Sequence, residues 1–238
     1  MLTTDYDIIV PWLNEENLSS ARLFMEVSEQ SFTALWMNRK ENKVYRVVRY
    51  PNLFPHEPMQ VGQLKEIFSS DPMLPKSRSV SGVIYNYSEC QLFPSAHYNI
   101  ELNKPLMEIG SGNLKKGLLL SEKVNGRDIQ TIYKVPRGIH ELFQQSFSAG
   151  RYWHIYTLLL MQESGDSLRD TVFFRLIFYP EKLIAGLFKG DQLLFLQTYS
   201  FEQPEDISWY LLGLCTQFSL DPKETVLNFS GLVDATSS

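Results

Sequence analysis

Leu23-Phe24-Met25-Glu26-Val27-Ser28-Glu29-Gln30-Ser31-Phe32 and Phe173-Phe174-Arg175-Leu176-Ile177-Phe178-Tyr179-Pro180-Glu181-Lys182-Leu183 are two versions of one hairpin. Apolar residues alternate as a half-buried strand requires, and each run breaks at a short polar turn before the chain returns. The elements after each hairpin repeat as well. After the first come a return strand over Phe32 to Met37, a polar turn over Asn38 to Asn42, and a third strand over Val44 to Tyr50. Prolines at 51, 55 and 58 end that ladder. A helix from about Met59 then buries Val61, Leu64, Ile67 and Phe68, and a strand covers Val80 to Tyr85.

The second copy runs through Leu183 to Phe188, turns at Gly190-Asp191, and continues over Leu193 to Tyr199. Pro204-Glu205-Asp206 opens a helix bearing Ile207, Tyr210, Leu211, Leu214 and Phe218 at helical spacing. Its carboxylates sit at the positive end of the helix dipole. A strand over Thr225 to Phe229 leads into Ser230-Gly231. The starts are offset by 173 − 23 = 150 residues, and the later midpoints, Leu64 to Leu211 and Ile84 to Leu227, by 147 and 143. A duplicated sheet-and-helix unit predicts an α/β protein of two lobes.

Between the copies, Asp128 to Val135 reads as a strand and Ile139, Leu142, Phe143 and Phe147 as a helix face. Tyr152 to Met161 reads as a further helix. It runs into Glu163-Ser164-Gly165-Asp166-Ser167, the most linker-like stretch, which divides the chain into a first lobe over 1–165 and a second, shorter lobe over 166–238.

With 238 residues, 44% hydrophobic and 13% aromatic, the chain has the material for a packed core. Its net charge of −5 provides no field to gather nucleic acid or an anionic membrane surface. The amino terminus lacks the basic and apolar regions of a secretion signal. The apolar run Ile155 to Met161 is far too short to cross a bilayer. Cys90 and Cys215 are isolated, so no metal framework is expected, and the cytoplasm is the expected compartment.

Three strands, a helix and a strand, occurring twice, resemble the duplicated ribonuclease-H-like unit of the actin-like ATPase superfamily. Gly190 to Leu196, Asp206 to Gln217, Leu220-Asp221-Pro222, Leu227 to Gly231, and Tyr133-Lys134-Val135-Pro136 followed by Phe147 and His154 are similar to a bacterial family of unknown function with that fold. The resemblance implies two ribonuclease-H-like lobes with mixed sheets, and the second lobe is expected to be shortened. After Gly231 only Leu232 to Ser238 remain, where the superfamily pattern has a further helix and strand, so the chain is either trimmed or reduced.

Active members of the superfamily carry an Asp-x-Gly phosphate motif in each first hairpin, where glycine lets backbone amides reach phosphate and aspartate organises magnesium and water. Here the tips read Val27-Ser28-Glu29-Gln30-Ser31 and Phe178-Tyr179-Pro180-Glu181-Lys182. Neither has a glycine, and Pro180 also removes a donor. The resemblance therefore leaves Ser28, Glu29, Glu181, Ser230 and Gly231 as cleft residues; the last two stand at the place of a nucleoside-contacting glycine turn, but any strand leaving a sheet can end in glycine, and that plainer reading is the one favoured for them. The expectation is a catalytically degenerate actin-like scaffold or interaction module with a protein partner and no cofactor. The competing expectation is a nucleotide-binding ATPase or kinase-like enzyme that uses ATP with magnesium through unconventional phosphate motifs.

Other motifs fail on detail. Within Ile109-Gly110-Ser111-Gly112-Asn113-Leu114-Lys115-Lys116-Gly117, Gly112 to Gly117 has phosphate-loop spacing, but Leu118-Leu119 stands where Lys and Ser or Thr belong, and the stretch reads as a surface turn. His140-Glu141-Leu142-Phe143-Gln144 lacks the second zinc-binding histidine, which leaves His140 on an ordinary helix surface. His154 reads as a packed or capping residue. Trp209-Tyr210-Leu211-Leu212 reads as core, although four bulky neighbours face more than one direction.

Overall fold

A computed structural model of the chain describes residues 3–54, 56–74, 80–112, 117–147, 150–163, 165, 168–180 and 182–232. The chain divides into two compact units, Met1–Met161 and Gln162–Ser238.

In the first unit, β1 (Tyr6–Ile9), β2 (Arg22–Ser28), β3 (Ser31–Asn38), β4 (Lys43–Pro51), β5 (Val80–Asn86) and β9 (Tyr152–His154) form one mixed sheet in the order β1-β4-β3-β2-β5-β9. β2 pairs parallel with β5, and β5 parallel with β9, while β1 to β4 are antiparallel neighbours. Leu23, Met25 and Val27 of β2 are buried in the cluster that also holds Leu64 and Ile67 of helix α2 (Val61–Ser70) and Ile139, Leu142 and Phe143 of helix α4 (Arg137–Ser146). Phe68 of α2 meets the rings of Phe143 and Phe147 edge-on at 5.5 and 5.0 Å. Helices α2 and α4 thus lie side by side over one face of the sheet.

The amino-terminal strand is held by an ion cluster that no sequence motif announces. Arg46 donates from Nε and Nη2 to both carboxylate oxygens of Asp7 and from Nη1 to Asp71, which closes the end of α2; Tyr50 donates to the same Asp71 at 2.6 Å. Burial would raise the Asp71 carboxyl, but the hydrogen bonds from Arg46, Tyr50 and the Met73 amide outweigh it and hold the group below its ordinary range.

Short helix α1 (Glu15–Ser20), strand β6 (Cys90–Pro94), helix α3 (Asn103–Ser111) and strand β7 (Leu118–Lys123) are also additions to the expected elements. β6 and β7 flank β8 (Ile129–Val135) in a separate antiparallel sheet inserted between β5 and α4. Ile109 and Gly110, expected in a surface turn, instead finish α3, and Gly112 at φ +70° caps it. Asn113 to Lys116 of that motif lie outside the described residues. Tyr152 to His154, expected to be helical, form β9, because their place beside β5 supplies ladder partners; helix α5 (Ile155–Met161) starts only afterwards.

His140 departs from its expected surface position. It is buried, and its Nδ1 lies 2.7 Å from the Tyr85 hydroxyl, with the Tyr152 ring packed beside it. Burial lowers its pKa, partly offset by the neighbouring Glu141 carboxylate. His154 is packed and capping: its Nε2 donates to the Tyr87 carbonyl while its Nδ1 accepts the Tyr156 amide at the start of α5.

In the second unit, β10 (Val172–Phe178), β11 (Lys182–Lys189), β12 (Gln192–Ser200) and β13 (Val226–Gly231) form a sheet in the order β12-β11-β10-β13, with β13 parallel to β10. Gly190, at φ +55° in the two-residue link from β11 to β12, adopts a backbone that a side chain would oppose. Helix α6 (Pro204–Gln217) packs Leu214 and Cys215 on Phe174, Leu176, Leu183, Ala185 and Leu187. The Trp209-Leu212 stripe is not uniformly core: Trp209 is 74% exposed and Leu212 54%. Among the described residues no helix is long and apolar enough to cross a membrane.

Candidate functional site

The first hairpin tip closes on itself. Ser28 Oγ accepts the amides of Gln30 and Ser31 at 3.1 and 3.0 Å and lies 3.2 Å from Ser31 Oγ. A serine at the end of a strand offers its hydroxyl to donors two and three residues on, so the turn satisfies itself locally. Both serines are buried, at 2% and 3% exposure. The tip carbonyls are occupied too: that of Glu29 accepts the Met59 amide and Asn52 Nδ2, and that of Gln30 accepts the Asn52 amide. The Glu29 carboxylate reaches across to the Ser88 amide and hydroxyl, at 2.9 and 2.7 Å. Asn52, Met59 and Ser88 come from the ends of β4, the approach to α2 and the exit of β5, so sequence spacing gave no sign of them.

At the second tip, the Tyr179 amide donates to the Lys182 carbonyl, closing the turn around Pro180. Glu181 lies outside the described residues. Ser230 and Gly231 end β13 beside this tip, with Gly231 paired to Phe178. Gly231 stands at φ +96°, and any Cβ there would strike the Phe178 carbonyl oxygen, so its glycine is explained by the close approach of two strands. Ser230 Oγ faces the Leu176 carbonyl. The structure brings Ser28 and Glu29 together in the first unit, and Ser230 and Gly231 together in the second.

Two recesses lie away from the tips. One of about 400 Å³ is lined by Ser20, Arg22, Asn38, Arg39 and Lys40, but its three cations stand on exposed side chains at strand ends and turns. The other, of about 260 Å³ and mainly apolar, lies where α6 meets β13 and is lined by residues including Phe174, Leu211, Leu212, Cys215 and Leu227. No cluster of His, Cys, Asp or Glu suited to a metal ion occurs among the described residues.

The fold as a whole is matched by a solved structure. A Bacteroides thetaiotaomicron VPI-5482 protein with an actin-like ATPase fold and unknown function matches with a TM-score of 0.79 at 13% identity, over 94% of this chain and 86% of that one. More distant likenesses are the PilM-PilN type IV pilus biogenesis complex (TM-score 0.48, 15% identity, 84% of this chain and 66% of that one) and the ethanolamine utilization protein EutJ from Carboxydothermus hydrogenoformans (0.38, 5%, 91% and 62%). The fold is that of the actin-like ATPases. No curated protein matches the sequence. Residues 12–238 match the family described as protein of unknown function (DUF3822), and the chain belongs to that family.

Proposed function

We propose that this chain acts as a non-catalytic actin-like interaction module. The observation that supports this is the self-closed first tip. A phosphate-binding hairpin must turn free amides outward, whereas here Ser28 Oγ takes the Gln30 and Ser31 amides, and both serines are buried. The Glu29 carboxylate, the acid nearest the place of a magnesium-organising aspartate, is engaged by Ser88. Fold alone assigns no activity, so the reading rests on these residues.

Thermal unfolding with magnesium and ATP tests it. A ligand that binds only the folded chain, at a hundredfold excess over its dissociation constant, adds about 2.7 kcal/mol of stability. The expected result is an unchanged midpoint. A clear upward shift, or hydrolysis of ATP lost on Glu29→Gln, overturns the reading in favour of a nucleotide enzyme with unconventional motifs.

A further inference from the structure

Arg46, Arg49 and Lys134 of the first unit are buried, and each is paired with carboxylates: Asp7 and Asp71, Asp5, and Glu89. Three cations at the end of β2 away from its hairpin tip are not. Arg22 opens β2, Arg39 and Lys40 stand in the turn from β3 to β4, and with Ser20 and Asn38 they line the recess of about 400 Å³. No carboxylate lines it, and none among the described residues pairs with these three side chains. The neighbouring Glu41 carboxylate is taken by Lys43 at 2.8 Å.

The turn that carries two of the cations is fixed. Asn38 Oδ1 accepts the Lys40 and Glu41 amides at 3.0 and 3.3 Å, and Asn42 follows at φ +51°. Asn38 Nδ2 donates to the Tyr45 hydroxyl at 3.3 Å, and the Tyr45 ring meets the ring of Trp12 edge-on at 5.6 Å. Trp12, 51% exposed, is therefore linked to the recess through Tyr45, and Asn17 Nδ2 of α1 holds its carbonyl.

We propose that this recess and Trp12 form the docking surface for a short acidic segment of a partner protein. Aspartate and glutamate side chains enter the recess, where the guanidinium forks of Arg22 and Arg39 match a carboxylate with two parallel hydrogen bonds and Lys40 adds a point charge. An apolar residue of the same segment packs on Trp12. Arginine and tryptophan are the side chains on which binding energy concentrates at protein interfaces, and a simple anion would leave Trp12 unused. A nucleic acid, with a charge every 1.7 Å or so along a duplex, would meet the repulsion of a chain of net charge −5 over its whole length, whereas a short segment meets the local cations.

The proposal names the partner chemistry for the interaction role proposed above and rests on that reading. The probe is a fluorescein-labelled peptide of alternating aspartate and glutamate around a central Leu-Phe pair, titrated with the full chain and followed by anisotropy. Saturation is expected by roughly 100 μM chain, and binding weakens several-fold between about 50 and about 300 mM salt. Arg39→Glu with Lys40→Glu is expected to weaken it at least about tenfold, and Trp12→Ala at least about threefold. Lys65→Glu, exposed on α2, leaves it unchanged. Arg22→Glu keeps the proposal falsifiable should the doubly substituted turn misfold. Absence of binding, indifference to Trp12→Ala, equal weakening by Lys65→Glu, or tighter binding of an equally charged thymidine oligonucleotide overturns it. A thermal shift with magnesium and ATP that survives Arg39→Glu with Lys40→Glu defeats the interaction reading; an unchanged midpoint without peptide binding defeats this proposal alone.

Discussion

Replacing Ser28 with alanine isolates the feature on which the functional reading depends. The substitution deletes the one acceptor shared by the Gln30 and Ser31 amides and leaves the strand and its packing in place. A backbone donor that water can reach loses about 1 kcal/mol net, and one left buried without a partner costs about 1–3 kcal/mol. The Ser31 amide belongs to a residue only 3% exposed, so it falls in the second class, and the sum is about 2–4 kcal/mol. Ser31→Ala removes only the hydroxyl contact at 3.2 Å and is expected to cost about 1 kcal/mol or less. Urea unfolding measures both. In a Trp209→Phe background the remaining tryptophans, Trp12, Trp36 and Trp153, all lie in the first unit and report its transition alone. If Ser28→Ala costs no more than Ser31→Ala, the hydroxyl is not what closes the tip, and the argument for an occupied phosphate site fails with it.

The packing fixes three further outcomes. Asp71→Ala removes one of two carboxylates from the buried Arg46 and the acceptor of Tyr50, for an expected loss of about 3 kcal/mol in urea unfolding; a loss under about 1 kcal/mol means that Asp7 alone suffices. For His140, burial depresses the folded pKa below 6.5, so the unfolded chain takes up the proton first as pH falls. Its contribution to stability is complete above the unfolded value and is lost as pH drops through the folded one, and an imidazole NMR titration at or above 6.5 contradicts this. Gly231→Ala is expected to destabilise the second unit by about 2 kcal/mol, from the φ of +96° and the Phe178 carbonyl in the way, as read by Trp209 fluorescence; a neutral result shows that the two strands can part there.

Where one face of a strand is buried and the other is not, the sequence announced it. Leu23, Met25 and Val27 alternate with half-buried or exposed neighbours, and Gly190-Asp191 marks the turn between β11 and β12. Strands β6 and β7 lack that contrast, since nearly all of their residues are only half-buried, and Leu118-Leu119-Leu120 next to a glycine invited comparison with a phosphate loop instead. His140 and Trp209 show a different limit. Whether a helix face is core depends on what arrives to cover it, and Tyr85 and Tyr152 reach His140 from distant strands while Trp209 stays exposed among the described residues. The first tip was legible as a turn, but the donors that Ser28 gathers and the tie from Glu29 to Ser88 depend on folded geometry.

The insertion between β5 and α4 has a consequence for synthesis. β1 to β5 are complete at Asn86, yet β9, which pairs with β5, begins only at Tyr152, 152 − 86 = 66 residues later. At about 5–20 residues per second on the ribosome, the edge of β5 waits roughly 3–13 s for its neighbour. During that interval Val83 and Tyr85 stand without α4 or β9, on a strand whose natural neighbour has yet to be made. Nascent chains stalled before Tyr152 are therefore expected to bind chaperones and to aggregate on release, while chains stalled after Met161 are not.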